Sequence, residues 1–178
     1  MAASIHIRNG ALIDGTGSTP RPAHDVLLAG DSIVAVGPTG TLADVPADAT
    51  VIDASGATIM PGLIDAHCHV TFDDVQSNDE LFFHRPAATA AMLTLFNLPK
   101  LLRAGVTSMF DPDTVAGVGP EVRDVVESGA FAGPRIATGV QALLTSVGGT
   151  AGRLIPDSGN VGYAAVVNTN DEMITETR

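Results

Sequence analysis

One stretch decides the fold of this sequence: Pro61-Gly62-Leu63-Ile64-Asp65-Ala66-His67-Cys68-His69. It continues a near-continuous apolar run from Thr58, which is typical of a strand buried on both faces. On a strand, His67 and His69 lie on the same face and Cys68 on the other. Two neutral imidazoles on one rigid edge form half of a site for zinc or a related divalent ion. The bare His-x-His pattern also fits two ordinary histidines, so this signal is weak by itself.

Strands alternate with helices after this stretch. The sequence predicts a helix over 86–104, a strand over 106–110, a helix over 120–129, a strand over 135–140 and a helix begun by the capping box Thr169-Asn170-Asp171-Glu172. Pro99 should kink or split the first of these helices. Such alternation implies right-handed parallel units, and three units do not close a barrel of eight, which needs roughly 250 residues. We therefore expect an α/β chain that is incomplete without a further polypeptide region.

The N-terminal part is rich in short strands. The predicted strands cover residues 4–8, 11–13, 25–28, 33–36 and 51–53. Asn9-Gly10 is a turn signal between the first two, and Gly30-Asp31 lies at the tip of a hairpin. We predict two domains, a β-rich module over 1–58 and an α/β domain over 59–178.

Composition limits the classes of function. The chain has 20 acidic and 9 basic residues and a formal charge of −11, which disfavours binding to nucleic acid or to anionic membranes. Residues 1–8 lack the features of a signal peptide, and no apolar run is long enough to span a membrane. The single cysteine, Cys68, excludes an internal disulfide framework, and we expect a cytoplasmic location.

The motif at 61–69 resembles the PGLID-x-H-x-H signature of the amidohydrolase superfamily. Further segments that fit are 7–10, 12–15, 30–33 and 51–56, and two others, 104–108 and 133–139, resemble the imidazolonepropionase-like and prolidase-like subgroup. The resemblance implies that 1–58 is half of a small β-sandwich. It also implies that 59–178 contains the first three βα units of a (β/α)₈ TIM-like barrel.

The resemblance further implies a metal centre. His67 and His69 correspond to the pair that binds the more buried metal, with zinc expected first, manganese, cobalt or iron as alternatives, and one or two ions. The family's other ligands are a carboxylated Lys or a Glu, two later His and a final Asp. They have no counterpart here, because the only lysine is Lys100 and no histidine follows His84. We expect them in the missing region. Metal-activated water would then cleave a C–N bond in an amide, carbamate, urea-like or cyclic amide substrate.

Several residues are candidate site residues, and each has two interpretations. Asp111 follows the second barrel strand and is a possible catalytic residue, or it belongs with Asp113 to ordinary loop chemistry. His84 lines the substrate pocket or is a surface loop histidine. Asp65 orients the histidines or stabilises a local turn. The Gly-rich loop 146–162 closes over substrate or is simply disordered.

Two departures from the subgroup concern the substrate. Phe110 stands where an Arg often precedes the Asp, and Gly148-Gly149-Thr150-Ala151 replaces Gly-Gly-His-Gly. Both favour an apolar or uncharged small molecule. Two alternatives stay open, a non-catalytic scaffold of the same fold and a ring deaminase or dechlorinase. The expected partners are the C-terminal half of the barrel, as a second chain or a missing segment, and further copies of the assembled unit in a homo-oligomer.

Overall fold

The computed structural model describes residues 3–72, 75–146 and 163–177. The chain divides into two units, Met1–Pro61 and Gly62–Arg178, each described by itself below. Within the described ranges, none of the helices has the length and apolar character that crossing a membrane requires.

The first unit is a single five-stranded sheet. Its strands are β1 (Ser4–Leu12), β2 (Arg21–Ala29), β3 (Ser32–Pro38), β4 (Thr50–Asp53) and β5 (Thr58–Ile59). The order is β3-β2-β1-β4, and β5 also pairs with β1. β2 is antiparallel to both neighbours, which confirms the predicted hairpin, whereas β4 and β5 run parallel to β1. The sheet has the composition expected for half of a sandwich, and the other half stays a prediction.

Asn9-Gly10 does not form the predicted turn, because β1 continues through it with a shift of register to β2. Asn9 has a φ of 65° and donates its backbone N–H to the buried Asp25 Oδ1 at 2.9 Å. A Cβ at Gly10 would overlap the side chain of Ile59. The buried carboxylate and this close approach therefore make the pair a β-bulge.

The second unit contains a parallel sheet with the order β6-β7-β8. Its elements are β6 (Leu63–Asp65), α1 (Asn78–Phe83), α2 (Ala87–Arg103), β7 (Val106–Asp111), a 3₁₀ turn (Val115–Gly117), α3 (Gly119–Glu127), β8 (Arg135–Thr138), β9 (Ala142–Leu144), β10 (Ala164–Val166) and α4 (Asn170–Glu176). β9 and β10 form a separate parallel pair. The predicted alternation of strands and helices is confirmed, as is the capping box of Thr169 and Glu172 on α4.

Two helices differ from the prediction. Pro99 lies inside α2 without splitting it. A proline in a helix interior costs about 3 kcal/mol, and the burial of the α2 face that carries the fully buried Ala90 and Leu98 offsets that cost. Helix α1 was not predicted. Its signal is Ser77-x-x-Glu80, since the Ser77 hydroxyl accepts the Glu80 N–H at 3.2 Å.

The apolar run from Thr58 is not one strand buried on both faces. It supplies β5 to the first unit and the short β6 to the second. Leu63 and Ile64 in β6 are 50% and 72% exposed. In the described part of the chain β6 pairs only with β7, so it is an edge strand. Its outer side lacks the neighbour that would bury these residues.

The core of the second unit lies among α2, α3, β7 and the loop after β6. It contains Val70, Leu81, Ala90, Leu98, Met109, Val115, Val118 and Val122. Cys68 packs against this cluster, so the core holds the β6 loop from one side.

Candidate metal centre

His67 and His69 lie in the loop directly after β6, which ends at Asp65, and not on the strand as predicted. The expected alternation nevertheless holds. The Cys68 N–H donates to the Phe110 carbonyl at 3.0 Å, which carries the β6–β7 pairing beyond the strand. The Cys68 side chain packs against the core, while the Nε2 atoms of the two histidines approach to 3.2 Å.

The two imidazoles are spaced to hold a single ion. Two nitrogens bound to tetrahedral zinc at about 2.0–2.1 Å are about 3.3 Å apart, close to the 3.2 Å between the Nε2 atoms of His67 and His69. The rings are nearly perpendicular, with an interplanar angle of 83°. The described residues contain no group of three or more His, Cys, Asp or Glu side chains that could hold a metal. The distance between the two Nε2 atoms therefore fits a divalent metal, to which this pair would supply two ligands.

Cys68 is unsuited to be a third ligand. Burial, with the charges of Asp65 and Asp111, raises the pKa of its thiol to about 11. A metal-binding cysteine is a thiolate, and this thiol stays protonated at neutral pH. Its contacts fit a small buried apolar residue.

Oxygen atoms surround the second nitrogen of His69. Its Nδ1 lies 3.4 Å from the Asp113 carbonyl oxygen, 3.3 Å from Asp113 Oδ1 and 3.6 Å from Asp111 Oδ1. The ring also stacks on Phe72, with centroids 4.5 Å apart and an interplanar angle of 6°. These contacts hold the imidazole with Nδ1 towards the carboxylates and Nε2 towards His67.

Asp111 is buried at the end of β7, with its side chain 1% exposed. Its Oδ2 accepts the Val70 N–H at 3.3 Å, which ties the end of β7 to the loop that carries the histidines. Burial, assisted by the charge of Asp113, raises the pKa of Asp111 to about 7 against the lowering effect of the Val70 hydrogen bond. Both interpretations of Asp111, as a catalytic residue and as ordinary loop chemistry, stay predictions.

Two buried carboxylate oxygens, Asp111 Oδ1 and Asp113 Oδ1, lack a hydrogen-bond partner among the described residues. Such atoms are rare in folded proteins and call for a physical reason. Both lie within 3.6 Å of His69 Nδ1.

Tyr163 was not predicted as a site residue. It is buried before β10 and packs against Phe72 and Phe82, with ring centroids 5.9 and 4.7 Å apart. Burial raises the pKa of its hydroxyl, and the charge of Asp113 and a hydrogen bond to that carboxylate raise it further. The sequence marks Tyr163 only as the sole tyrosine, and no local motif surrounds it.

The remaining candidates lie apart from the pair or act locally. His84 ends α1, where its 68% exposed side chain pairs with Asp79 Oδ2 at 3.1 Å, and no described contact joins it to the metal pair. The Asp65 carboxylate accepts the His67 N–H at 3.2 Å, the local role that was one of its two readings. The Gly-rich loop, including the Gly148–Ala151 departure, lies outside the described residues except for its first residue.

Comparisons with known proteins identify the family of this chain. No protein-family profile matches the chain. A solved amidohydrolase superposes on 99% of it with a TM-score of 0.78 and 27% identity, and a prolidase complexed with N-methylphosphonate-L-proline does so with 0.76 and 27%. Ochratoxinase from Aspergillus niger is 34% identical over 145 residues, 78% of the chain. The chain belongs to the amidohydrolase superfamily.

The predicted resemblance is thereby confirmed. The chain has a mixed α/β fold and matches superfamily structures that contain a TIM barrel. The chain spans 43% of each of the two solved relatives and 28% of the ochratoxinase. Its histidine pair follows β6 and Asp111 is the last residue of β7, so they lie at the carboxyl ends of parallel strands, the edge at which barrel enzymes place their active sites.

Proposed function

We propose that this amidohydrolase chain is part of a metal-dependent hydrolase that cleaves a C–N bond in a small molecule. The bond belongs to an amide, a carbamate, a urea-like group or a cyclic amide. The observation that carries the proposal is the 3.2 Å separation of His67 Nε2 and His69 Nε2 at the ends of parallel strands. The similarity to a prolidase supports a C–N bond as the target.

His67 and His69 would hold the ion through Nε2, with zinc first and manganese, cobalt or iron as alternatives. When bound, such an ion lowers the pKa of water towards about 7 and polarises a carbonyl group. Phe72 covers one face of the His69 ring and limits access of water to it. Asp111 holds the Val70 N–H and so keeps the loop in place beside the site.

Two histidines do not complete such a centre, since catalytic zinc takes three protein ligands. We propose that the remaining ligands and the general base come from a further polypeptide region, in the same chain or in a partner chain. The share of the solved relatives that the chain spans, 43%, supports this. The exposed outer side of β6 is the edge to which a further strand would add. The assembled unit would form a homo-oligomer.

The experiment measures divalent metal and hydrolysis in the purified protein that carries this chain, by mass spectrometry of elements and by a panel of amides, carbamates and ureas. His67→Ala should lose nearly all of both. His24→Ala is the matched control, because His24 is half-buried in the first unit and its ring contacts the Pro22 carbonyl. Full metal content and activity in His67→Ala would refute the proposal.

Two other outcomes would assign a different function. Absence of any divalent metal from the unsubstituted protein would favour the non-catalytic scaffold. Release of ammonia or chloride from a substituted ring, without hydrolysis of any amide, would assign ring deamination or dechlorination instead.

A further inference from the structure

Asp113 faces His69 Nδ1, the ring nitrogen that does not face His67, and Tyr163 interacts with Asp113 and packs against Phe72. We propose that they are positioning residues that hold His69 in the tautomer with the proton on Nδ1, so that Nε2 is free to bind the metal. The inference rests on the proposed function, because it concerns how one of the two metal ligands is prepared.

The hydrogen bond to the backbone favours one tautomer. His69 Nδ1 lies 3.4 Å from the Asp113 carbonyl oxygen, and a carbonyl oxygen only accepts. Nδ1 must therefore be the donor. A neutral imidazole carries a single N–H, so its other nitrogen, Nε2, keeps the lone pair that a metal requires.

The carboxylates strengthen this arrangement. Asp113 Oδ1 at 3.3 Å and Asp111 Oδ1 at 3.6 Å both face the same nitrogen. If Nδ1 carried a lone pair, it would face three oxygen atoms, and this repulsion disfavours the other tautomer. Negative charge behind Nδ1–H also makes Nε2 a stronger donor to a metal. This gives the otherwise unpartnered Asp113 Oδ1 a role, because its charge acts on His69.

Tyr163 holds Asp113 in place. Its hydroxyl interacts with the Asp113 carboxylate, and its ring packs against Phe72, which itself stacks on His69. Tyr163 lies directly before β10, whereas Asp113 follows β7. Residues from three loops of the second unit therefore surround the His69 imidazole. Its Nε2 lies 3.2 Å from the Nε2 of His67.

The test is nuclear magnetic resonance of the chain labelled with ¹⁵N at histidine, with His69 assigned from a His69→Gln variant. We expect His69 to have a protonated Nδ1 and a bare Nε2 before metal is added, and zinc to shift Nε2. Asp113→Asn keeps the side-chain shape, but it removes the charge and offers an N–H to Nδ1. We expect it to lower the fraction of the Nδ1–H tautomer and to weaken zinc binding by about 10–100-fold.

Asp79→Asn is the matched control, because it breaks a carboxylate–histidine pair of similar length at the exposed His84. It should bind zinc as the unsubstituted chain does. If Asp113→Asn does not fold by circular dichroism, Tyr163→Phe replaces it, since this variant removes only the hydroxyl; the expected shift has the same direction.

The outcomes separate the two proposals. Zinc binding by the unsubstituted chain together with an Nε2–H tautomer of His69, or with unchanged affinity in the folded variant, overturns the positioning role and leaves the metal centre standing. Failure of the purified protein that carries this chain to bind zinc at His67 and His69 overturns both.

Discussion

Asp25→Asn should selectively destabilise the first unit, because Asp25 is a buried carboxylate with four hydrogen-bond partners. Its Oδ1 accepts the Asn9 N–H and the Thr39 hydroxyl, each at 2.9 Å. Its Oδ2 accepts the Gly40 N–H at 3.2 Å and lies 3.1 Å from His6 Nε2. An asparagine that keeps Oδ1 in place turns an NH₂ group towards the other two. Losing two charge-assisted hydrogen bonds at about 1.5–3 kcal/mol each gives a loss of about 3–6 kcal/mol.

The assay is hydrogen–deuterium exchange of the β1 and β2 amides, which reports on this unit by itself. A loss of about 3–6 kcal/mol corresponds to exchange that is at least about 100-fold faster. Asp14→Asn is the control, since Asp14 also accepts hydrogen bonds from Thr16 and Arg21 but is partly exposed. Its effect should be below about 1 kcal/mol. Equal protection in Asp25→Asn and the unsubstituted chain would refute the reasoning.

The same carboxylate predicts a dependence on pH. Burial raises the pKa of Asp25, but the hydrogen bonds from Asn9, Gly40, Thr39 and His6 outweigh it and hold the pKa below 3.8. Because the folded pKa lies below the unfolded one, the stabilisation is complete above a pH of about 4 and is lost as the pH falls through the folded pKa. Asp25→Asn should lack this part of the acid sensitivity of β1 and β2.

Three further substitutions test the second unit. Leu98→Ala leaves a cavity at a fully buried position and should lower the free energy of unfolding, measured by urea denaturation, by about 2–5 kcal/mol. Met92→Ala on the exposed side of α2 is the control and should lower it by less than about 0.5 kcal/mol. Similar losses in the two variants would contradict the assigned core. Gly62 lies directly before β6, and a Cβ added there by Gly62→Ala would overlap the side chain of Thr107. We expect the melting temperature and the affinity for zinc to fall together. Unchanged values for both would argue against this packing. Ser77→Ala removes the α1 cap and should lower helix protection in hydrogen exchange by about 1 kcal/mol; no change would mean that the cap is not formed.

The histidine pair was predictable because its geometry is local. Two residues separated by one position keep the period of a strand even where β6 has ended, since the Cys68 N–H still pairs with the neighbouring chain at Phe110. The apolar run before the pair showed where a parallel strand ends. Both signals lie within nine consecutive residues of the sequence, 61–69.

The surroundings of His69 were not predictable in the same way. The Asp113 carbonyl oxygen that fixes Nδ1 lies 44 positions away along the chain, and Tyr163 comes from a later loop. No periodicity connects these positions; only the folded sheet brings them together. Asn9-Gly10 shows the same limit, because the local signal for a turn was real and the tertiary contact with Asp25 made it a bulge.

Anomalous X-ray diffraction at the zinc absorption edge, from crystals of the zinc-loaded protein, tests the central claim most directly. The account predicts a peak about 2.0–2.1 Å from both His67 Nε2 and His69 Nε2. A fully zinc-loaded crystal with no peak between these two atoms, or with zinc bound to other side chains instead, would contradict it.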